Sequence, residues 1–171
     1  MLKIIGAILI IASTSFGGFE FSKVLSQRPK QLRALRSALQ SLDAEIMYGH
    51  TPLHEACRRL SEQLAEPLSS FFKKFSDRLL TEDTNVKDAW TVSLDETWKK
   101  TAMKNTELEI MKQFGETLGR HDRFSQQKQI ILTLTHLERE EQDARDLQGK
   151  YEKMIKSLGF LSGLLIVILL M

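Results

Sequence analysis

The stretch from Leu35 to Leu64 most constrains the fold, because it predicts two amphipathic helices joined by a very short turn. Apolar residues recur there at gaps of three and four, which lines one face of each helix. The first face carries Leu32, Leu35, Leu39, Leu42 and Ile46, and the second carries Leu53, Ala56, Cys57, Leu60 and Leu64. Two such helices with so short a connection are expected to pack antiparallel, as the start of a helical bundle.

Five residues are predicted to shape the turns. Gly49 should end the first helix, because the left-handed backbone found just past a helix end costs glycine little. Thr51 should cap the second helix, and Pro52 should occupy its first position. Gly119 should end a later helix, and Asp122 should lie near the start of the last one.

The rest of the middle of the chain predicts further helices, and no segment has the alternation of a β-strand. The first two helices should run from Pro29, after a break at Arg28-Pro29, to about Tyr48, and from Pro52 to about Glu66. Pro67 should begin the third, whose three phenylalanines could line the core or bind a partner; we expect core. The apolar positions are Leu68, Phe71, Phe72, Phe75 and Leu79 in the third helix; Val86, Ala89, Trp90, Leu94 and Trp98 in the fourth; Leu108, Met111, Phe114 and Leu118 in the fifth; and Ile130, Ile131, Leu134, Leu137, Ala144, Leu147 and Tyr151 in the sixth. We therefore predict an all-α bundle of about six helices.

Both ends of the chain are uncharged and apolar, over residues 4–19 and residues 157–171. The first run fits either a cleaved signal peptide or a retained membrane anchor, and we expect the anchor because no clean cleavage site follows. The predicted organisation is an N-terminal transmembrane helix (2–26), a helical bundle (27–150) and a C-terminal transmembrane helix (151–171). The sixth helix should continue into the second span, reaching roughly 75 Å if it extends to the end of the chain.

Basic residues near the two predicted spans favour a cytosolic bundle. The positive-inside rule places the Lys and Arg residues near a span on the cytoplasmic side. Most basic residues near the two spans lie on the bundle side: Lys23, Arg28, Lys30, Arg33, Arg36, Lys150, Lys153 and Lys156. Only Lys3 lies on the other side. The single cysteine, Cys57, excludes an internal disulfide and agrees with a reducing compartment.

The residue patterns do not predict an enzyme, a cofactor or a metal site. Cys57 is expected to be a buried structural thiol. His50, His54 and Cys57 are fewer than the four ligands of a structural zinc, and Arg58 and Arg59 stand where a zinc-protease helix needs its second histidine. A net charge of +2 excludes a strongly basic nucleic-acid surface. The charge-rich run from Glu138 to Asp146 is expected to be a solvated helix face.

Four charged residues on the second helix are the candidate partner-binding site. Glu55, Arg58, Arg59 and Glu62 fall opposite its apolar stripe, since successive residues of a helix are turned by about 100°. They could dock a partner or merely keep the helix soluble.

Several stretches resemble the stage III sporulation protein AB family of endospore-forming bacteria. They are LDAEIMYGHTPLHEA, FGETLGRHDRFSQQ, the long charged helix and the C-terminal GFLSGLLIVILL. The turn from Tyr48 to Leu53 is also similar to one in the helical domain of type II secretion and type IV pilus platform proteins.

The resemblance implies a non-catalytic platform in the channel complex between mother cell and forespore. It implies residence in the mother-cell membrane around the forespore, a secretion-type ATPase and other proteins of that complex as partners, and a possible homo-oligomer. The alternative is a membrane-tethered helical regulator or sensor that binds a partner without an ATPase. A neighbouring gene for such an ATPase would favour the first interpretation.

Overall fold

The computed structural model describes residues 26–45, 48, 51–81, 85–119 and 123–170, and this part of the chain is all-helical. Its six helices are α1 (residues 26–45), α2 (Leu53–Gln63), α3 (Leu68–Leu79), α4 (Val86–Trp98), α5 (Asn105–Thr117) and α6 (Arg123–Leu170). From α2 onward each helix packs against the next along the chain. The predicted helical bundle is confirmed.

The core is centred on Trp90 of α4. The rings of Phe71 and Phe75 each lie 4.9 Å from its ring between centroids, edge to face, and Phe114 lies 5.3 Å away. The indole N–H of Trp90 donates to the carbonyl of Met111 at 2.7 Å. Its polar group is therefore satisfied although the side chain is fully buried. The phenylalanines of α3 are core residues, as predicted.

Helix α1 runs antiparallel to α6. Arg28 pairs with Glu140, Arg36 pairs with Glu138, and Asp43 lies beside Gln127. The residue numbers rise along α1 as they fall along α6. The predicted stripe of α1 is buried over its described length, with Leu32, Leu35, Leu39 and Leu42 inaccessible to solvent.

The first two helix starts differ from the predictions. Helix α1 is already helical at residue 26 and continues through Pro29, so Arg28-Pro29 is not a break. Helix α2 begins at Leu53, because Pro52 has the extended ψ of 144°. The carbonyl of Pro52 accepts the backbone N–H groups of Glu55 and Ala56. No side chain caps the helix, so the Thr51 cap was wrong.

Two other predicted helix boundaries, at Pro67 and Gly119, are confirmed, and a side-chain cap marks the start of α4. Helix α3 starts directly after Pro67. The side chain of Asn85 accepts a hydrogen bond from the backbone N–H of Asp88 at 2.8 Å and so caps α4. After α5, Gly119 has a φ of 77°, the left-handed conformation expected past a helix end. The turn residues Gly49 and Asp122 lie outside the described residues.

Helix α6 is one continuous helix of 48 residues. At about 1.5 Å per residue it is roughly 72 Å long. Its buried residues recur at gaps of three and four: Gln126, Ile130, Thr133, Leu137, Glu141 and Ala144. None of its described side chains is buried beyond Ala144, so the helix projects from the bundle there.

Three of the apolar positions named for the sixth helix are exposed. Ile131, Leu147 and Tyr151 are 54%, 41% and 37% exposed. Ile131 lies about 100° around the helix from the buried Ile130, and the other two lie past the point where the bundle ends.

The structure describes most of the predicted C-terminal anchor but almost none of the N-terminal one. Residues 2–25 lie outside the described part, whereas α6 remains helical to Leu170. Among the residues that the structure describes, no helix combines the length and the apolar character needed to cross a membrane.

Candidate docking face and charged junction

Glu55, Arg58, Arg59 and Glu62 lie together on the outer side of α2 and are called the α2 charged face below. The side chains of Arg58 and Glu62 are 74% and 68% exposed, while Ala56, Cys57 and Leu60 on the opposite side are buried. The exposure predicted from spacing is confirmed. The role of this face in binding a partner stays a prediction.

The ion pairs of the α2 charged face are local and solvated. Arg59 contacts Glu55 at 2.7 Å and Glu45 of α1 at 4.0 Å, and Arg58 contacts Glu62 at 3.9 Å. Pairs of this kind stabilise a helix by only about 0.3–0.5 kcal/mol each. Both arginines can therefore exchange these partners for carboxylates of another protein at little cost.

Cys57 faces inward from the same helix. Burial raises the pKa of its thiol to about 12. The thiol therefore stays protonated near neutral pH and is a poor nucleophile and metal ligand.

The nearby His54 accepts, through its backbone carbonyl, a hydrogen bond from the Ser76 hydroxyl at 2.7 Å. His50 lies outside the described residues, and in the described part no three His, Cys, Asp or Glu side chains are grouped to hold a metal.

A second charged region, which was not predicted from the sequence, joins α1, α5 and α6. Glu107 of α5 is fully buried, and its Oε1 accepts hydrogen bonds from Nε (2.8 Å) and Nη2 of Arg28. The same guanidinium reaches Glu140 of α6 at 2.8 Å. The other oxygen of Glu107 accepts the backbone N–H of Lys104 at 2.7 Å, which fixes the start of α5. Arg28 and the Glu107 carboxylate together link α1, α5 and α6.

The neighbouring Glu141 shows that the charged run of α6 is not simply a solvated face. Its side chain is 1% exposed and accepts hydrogen bonds from Arg36 (2.6 Å), Arg33 (3.2 Å) and Arg145. Burial alone would raise the pKa of Glu141, but the three arginines outweigh it and hold that pKa below its ordinary value. The expectation for this run was wrong at Glu141, since α1 covers that side of α6.

We call this region the charged junction; its members are Arg28, Arg33, Arg36, Glu107, Glu138, Glu140, Glu141 and Arg145. A signal for it exists in the sequence. Glu107 is spaced with Met111 and Phe114, and Glu141 is spaced with Leu137 and Ala144, so each carboxylate occupies a position of an apolar stripe. A charge at such a position indicates a buried partner from another element.

In its described part the molecule is a helical bundle that has an exposed charged face on α2 and a long projecting helix, α6. Over residues 3–171 the chain matches the family model described as Stage III sporulation protein AB (spore_III_AB). The chain belongs to this family of sporulation proteins.

Two known proteins agree with that assignment. Stage III sporulation protein AB of Bacillus subtilis (strain 168) is 56% identical over 171 residues, which cover 100% of both chains. A solved structure of Stage III sporulation protein AB is 55% identical, covers 72% of this chain and 98% of its own, and superimposes with a TM-score of 0.70.

Proposed function

We propose that the protein is a non-catalytic membrane platform in the channel complex between mother cell and forespore, and that it docks a secretion-type ATPase through the α2 charged face. Membership of the stage III sporulation protein AB family supports a role in sporulation. The observation that carries the docking proposal is the exposure of two arginines and two glutamates on one helix whose other side is buried.

The arrangement of charges suits a reversible protein contact. Arg58 and Arg59 are adjacent, and their present partners lie on α2 or at the end of α1. Guanidinium groups bind carboxylates in a planar, two-pronged geometry that favours specific pairing. Charges at the edge of an interface mainly speed association and select the partner.

The same proposal places the bundle in the cytosol, tethered at both ends. Helix α6 leads from the bundle toward the uncharged residues 157–171, and residues 4–19 form the other apolar run. The basic residues beside these runs lie on the bundle side. By the positive-inside rule this favours a bundle on the cytosolic side of the mother-cell membrane. The platform could act as a single copy or as a homo-oligomer.

The docking proposal is tested by charge reversal. We expect Arg58→Glu/Arg59→Glu to change the free energy of unfolding by under about 0.5 kcal/mol per site, since surface substitutions cost little. Both side chains are exposed. Capture of the secretion-type ATPase of the complex should fall at least about tenfold, as should spore yield, and the remaining capture should be salt-sensitive.

Lys99→Glu/Lys100→Glu is the matched control, because it reverses two adjacent exposed charges at the end of α4. This variant should capture the ATPase normally. Normal capture and spore yield with the α2 double variant would remove that face from the docking proposal.

The topology is tested by labelling a cysteine placed at the exposed Ser41 of α1. Because Cys57 is buried, Ser41→Cys supplies the reactive thiol without altering Cys57. In intact cells a membrane-impermeant maleimide should leave Ser41→Cys unlabelled, and lysis should expose it. Labelling before lysis would place the bundle outside the cell.

A second candidate function is a membrane-tethered regulator that works without an ATPase. The observation in its favour is the continuity of α6, which links the charged junction to the C-terminal end of the chain. Sporulation that requires the α2 charged face, together with loss of ATPase capture, would decide for the platform.

A further inference from the structure

A cleft of about 400 Å³ opens beside the charged junction, at the end of the bundle from which α6 projects. It is lined by three basic residues, three acidic residues and one leucine: Arg28, Lys104, Lys150, Glu140, Asp143, Asp146 and Leu147. In the proposed membrane platform this cleft lies next to the bilayer, because residues 151–171 form the adjoining anchor. The inference below rests on that tether.

Two of the charged side chains that line this cleft are paired with each other, and the other four are not paired within the part of the chain that the structure describes. Arg28 and Glu140 pair with each other, and Arg28 also pairs with Glu107. Lys104, Lys150, Asp143 and Asp146 form no ion pair within the described residues. The cleft thus offers two unpaired cations and two unpaired carboxylates, a balanced set that matches a ligand with one group of each sign.

An apolar seam runs from the cleft along the projecting part of α6. Its members follow one another at gaps of four and three, which keeps them on one side of the helix: Leu147, Tyr151, Met154 and Leu158. All four are exposed, and Leu147 also lines the cleft. A charged cleft joined to an exposed apolar seam matches the two parts of a lipid molecule, the polar headgroup and the acyl chains.

We propose that the cleft and seam bind a phospholipid whose headgroup carries a primary ammonium, as in phosphatidylethanolamine. Lys104 and Lys150 hold its phosphate, Asp143 and Asp146 accept hydrogen bonds from its ammonium, and its acyl chains lie along the seam. A phosphatidylglycerol headgroup has no ammonium to pair with the two carboxylates. A choline headgroup has no N–H donors for them.

A second copy of α6 is the competing occupant of the seam. In a parallel helix pair the flanking positions would be Gln148 and Ile155 on one side and Lys150 and Ser157 on the other. These residues bring no opposite charges together across the pair. Charge complementarity therefore favours the lipid over a second helix.

The test uses the full-length protein in vesicles that contain a photoactivatable phosphatidylethanolamine, phosphatidylcholine or phosphatidylglycerol. Cross-links to residues 143–158 are counted by mass spectrometry. The ethanolamine lipid should cross-link more than about threefold over the other two, and Asp143→Asn/Asp146→Asn should abolish that preference. Asp77→Asn/Glu109→Gln removes two exposed negative charges elsewhere and should retain it.

The outcomes separate the lipid site from the proposed function. Vesicle flotation with equal cross-linking of all three lipids, or with a preference for phosphatidylglycerol, overturns the lipid site and leaves the tether standing. Cross-links between two copies at Leu147 to Met154, found in a mixture of isotope-labelled and unlabelled chains, assign the seam to a second helix and overturn the lipid site as well. Failure to float with any vesicle refutes the tether, and this inference with it.

Discussion

The α2 charged face and the charged junction are built from the same residue types, yet they differ in burial and in reach. On α2 the side chains of Arg58 and Glu62 are mostly exposed, whereas Glu107 and Glu141 in the junction are almost inaccessible to solvent. Two of the α2 pairs join residues four apart in one helix. The contacts of Arg28 in the junction join residues 79 and 112 positions apart. The first arrangement follows from helix geometry, and the second exists only in the folded chain.

This difference decides what each region contributes. An exposed ion pair adds little to the free energy of unfolding, because water stabilises the two separate charges nearly as well as the pair stabilises them. A buried charge depends on its partners, since removing one partner leaves the other desolvated and unpaired. The α2 charged face can therefore serve binding without altering the fold, while the junction holds α1, α5 and α6 together.

The largest effect should follow removal of Glu107. We expect Glu107→Ala to lower the free energy of unfolding by about 3–5 kcal/mol, because a buried charge would lose its main partner. That charge is the Arg28 guanidinium. The measurement is urea unfolding of the full-length protein in detergent, followed by the fluorescence of the buried Trp90.

Glu109→Ala is the matched control for this experiment, because Glu109 lies on the exposed side of the same helix. We expect it to lower the free energy of unfolding by under about 0.5 kcal/mol, as is usual for a surface substitution. Equal losses in the two variants would contradict the distinction between the regions.

A smaller and pH-dependent effect is expected for Glu141→Gln, at about 1–3 kcal/mol near neutral pH. The arginines hold the folded-state pKa of Glu141 below its ordinary 4.5. Its stabilisation is thus complete well above that ordinary pKa and is lost as pH falls through the folded-state pKa. Unfolding curves of wild type and variant should converge at pH values below the folded-state pKa.

Glu138→Gln is the control for the pH experiment, because Glu138 pairs with Arg36 but is 60% exposed. It should cost less than Glu141→Gln at neutral pH. A gap between wild type and Glu141→Gln that stays constant with pH would show that Glu141 does not act through its charge.

The smallest effect should be that of Arg59→Ala on the α2 charged face, at under about 0.5 kcal/mol and falling further as salt rises from about 0.1 M to about 1 M. Arg36→Ala serves as the comparison in the junction, where its side chain is 21% exposed and binds the buried Glu141. Its larger cost should hardly change with salt. A strong salt dependence of the Arg36→Ala cost would mean that the junction is open to solvent.

Most of the local structure follows from the spacing of apolar residues and from the turn residues. Gaps of three and four predict the buried stripes of α1 and α2 and the phenylalanines of α3, because helix geometry maps sequence spacing onto faces. Gly119 ends α5 for the local reason that its left-handed backbone disfavours other residues. The exposure of the α2 charged face follows from the same geometry. The stage III sporulation protein AB resemblance, carried by particular stretches, is confirmed over nearly the whole chain.

Which charges are buried, and where the core stops, depends on contacts between helices that are distant in the chain. Glu141 is buried because α1 packs over it and brings Arg33 and Arg36 into contact, and spacing within α6 does not reveal that neighbour. Leu147 and Tyr151 continue a helical pattern but are exposed, because no described element buries α6 beyond Ala144. Periodicity reports which face of a helix is apolar. Whether that face meets the bundle, a lipid or solvent depends on elements far away in the chain, as the separations of 105 and 108 residues between Glu141 and its partners on α1 illustrate.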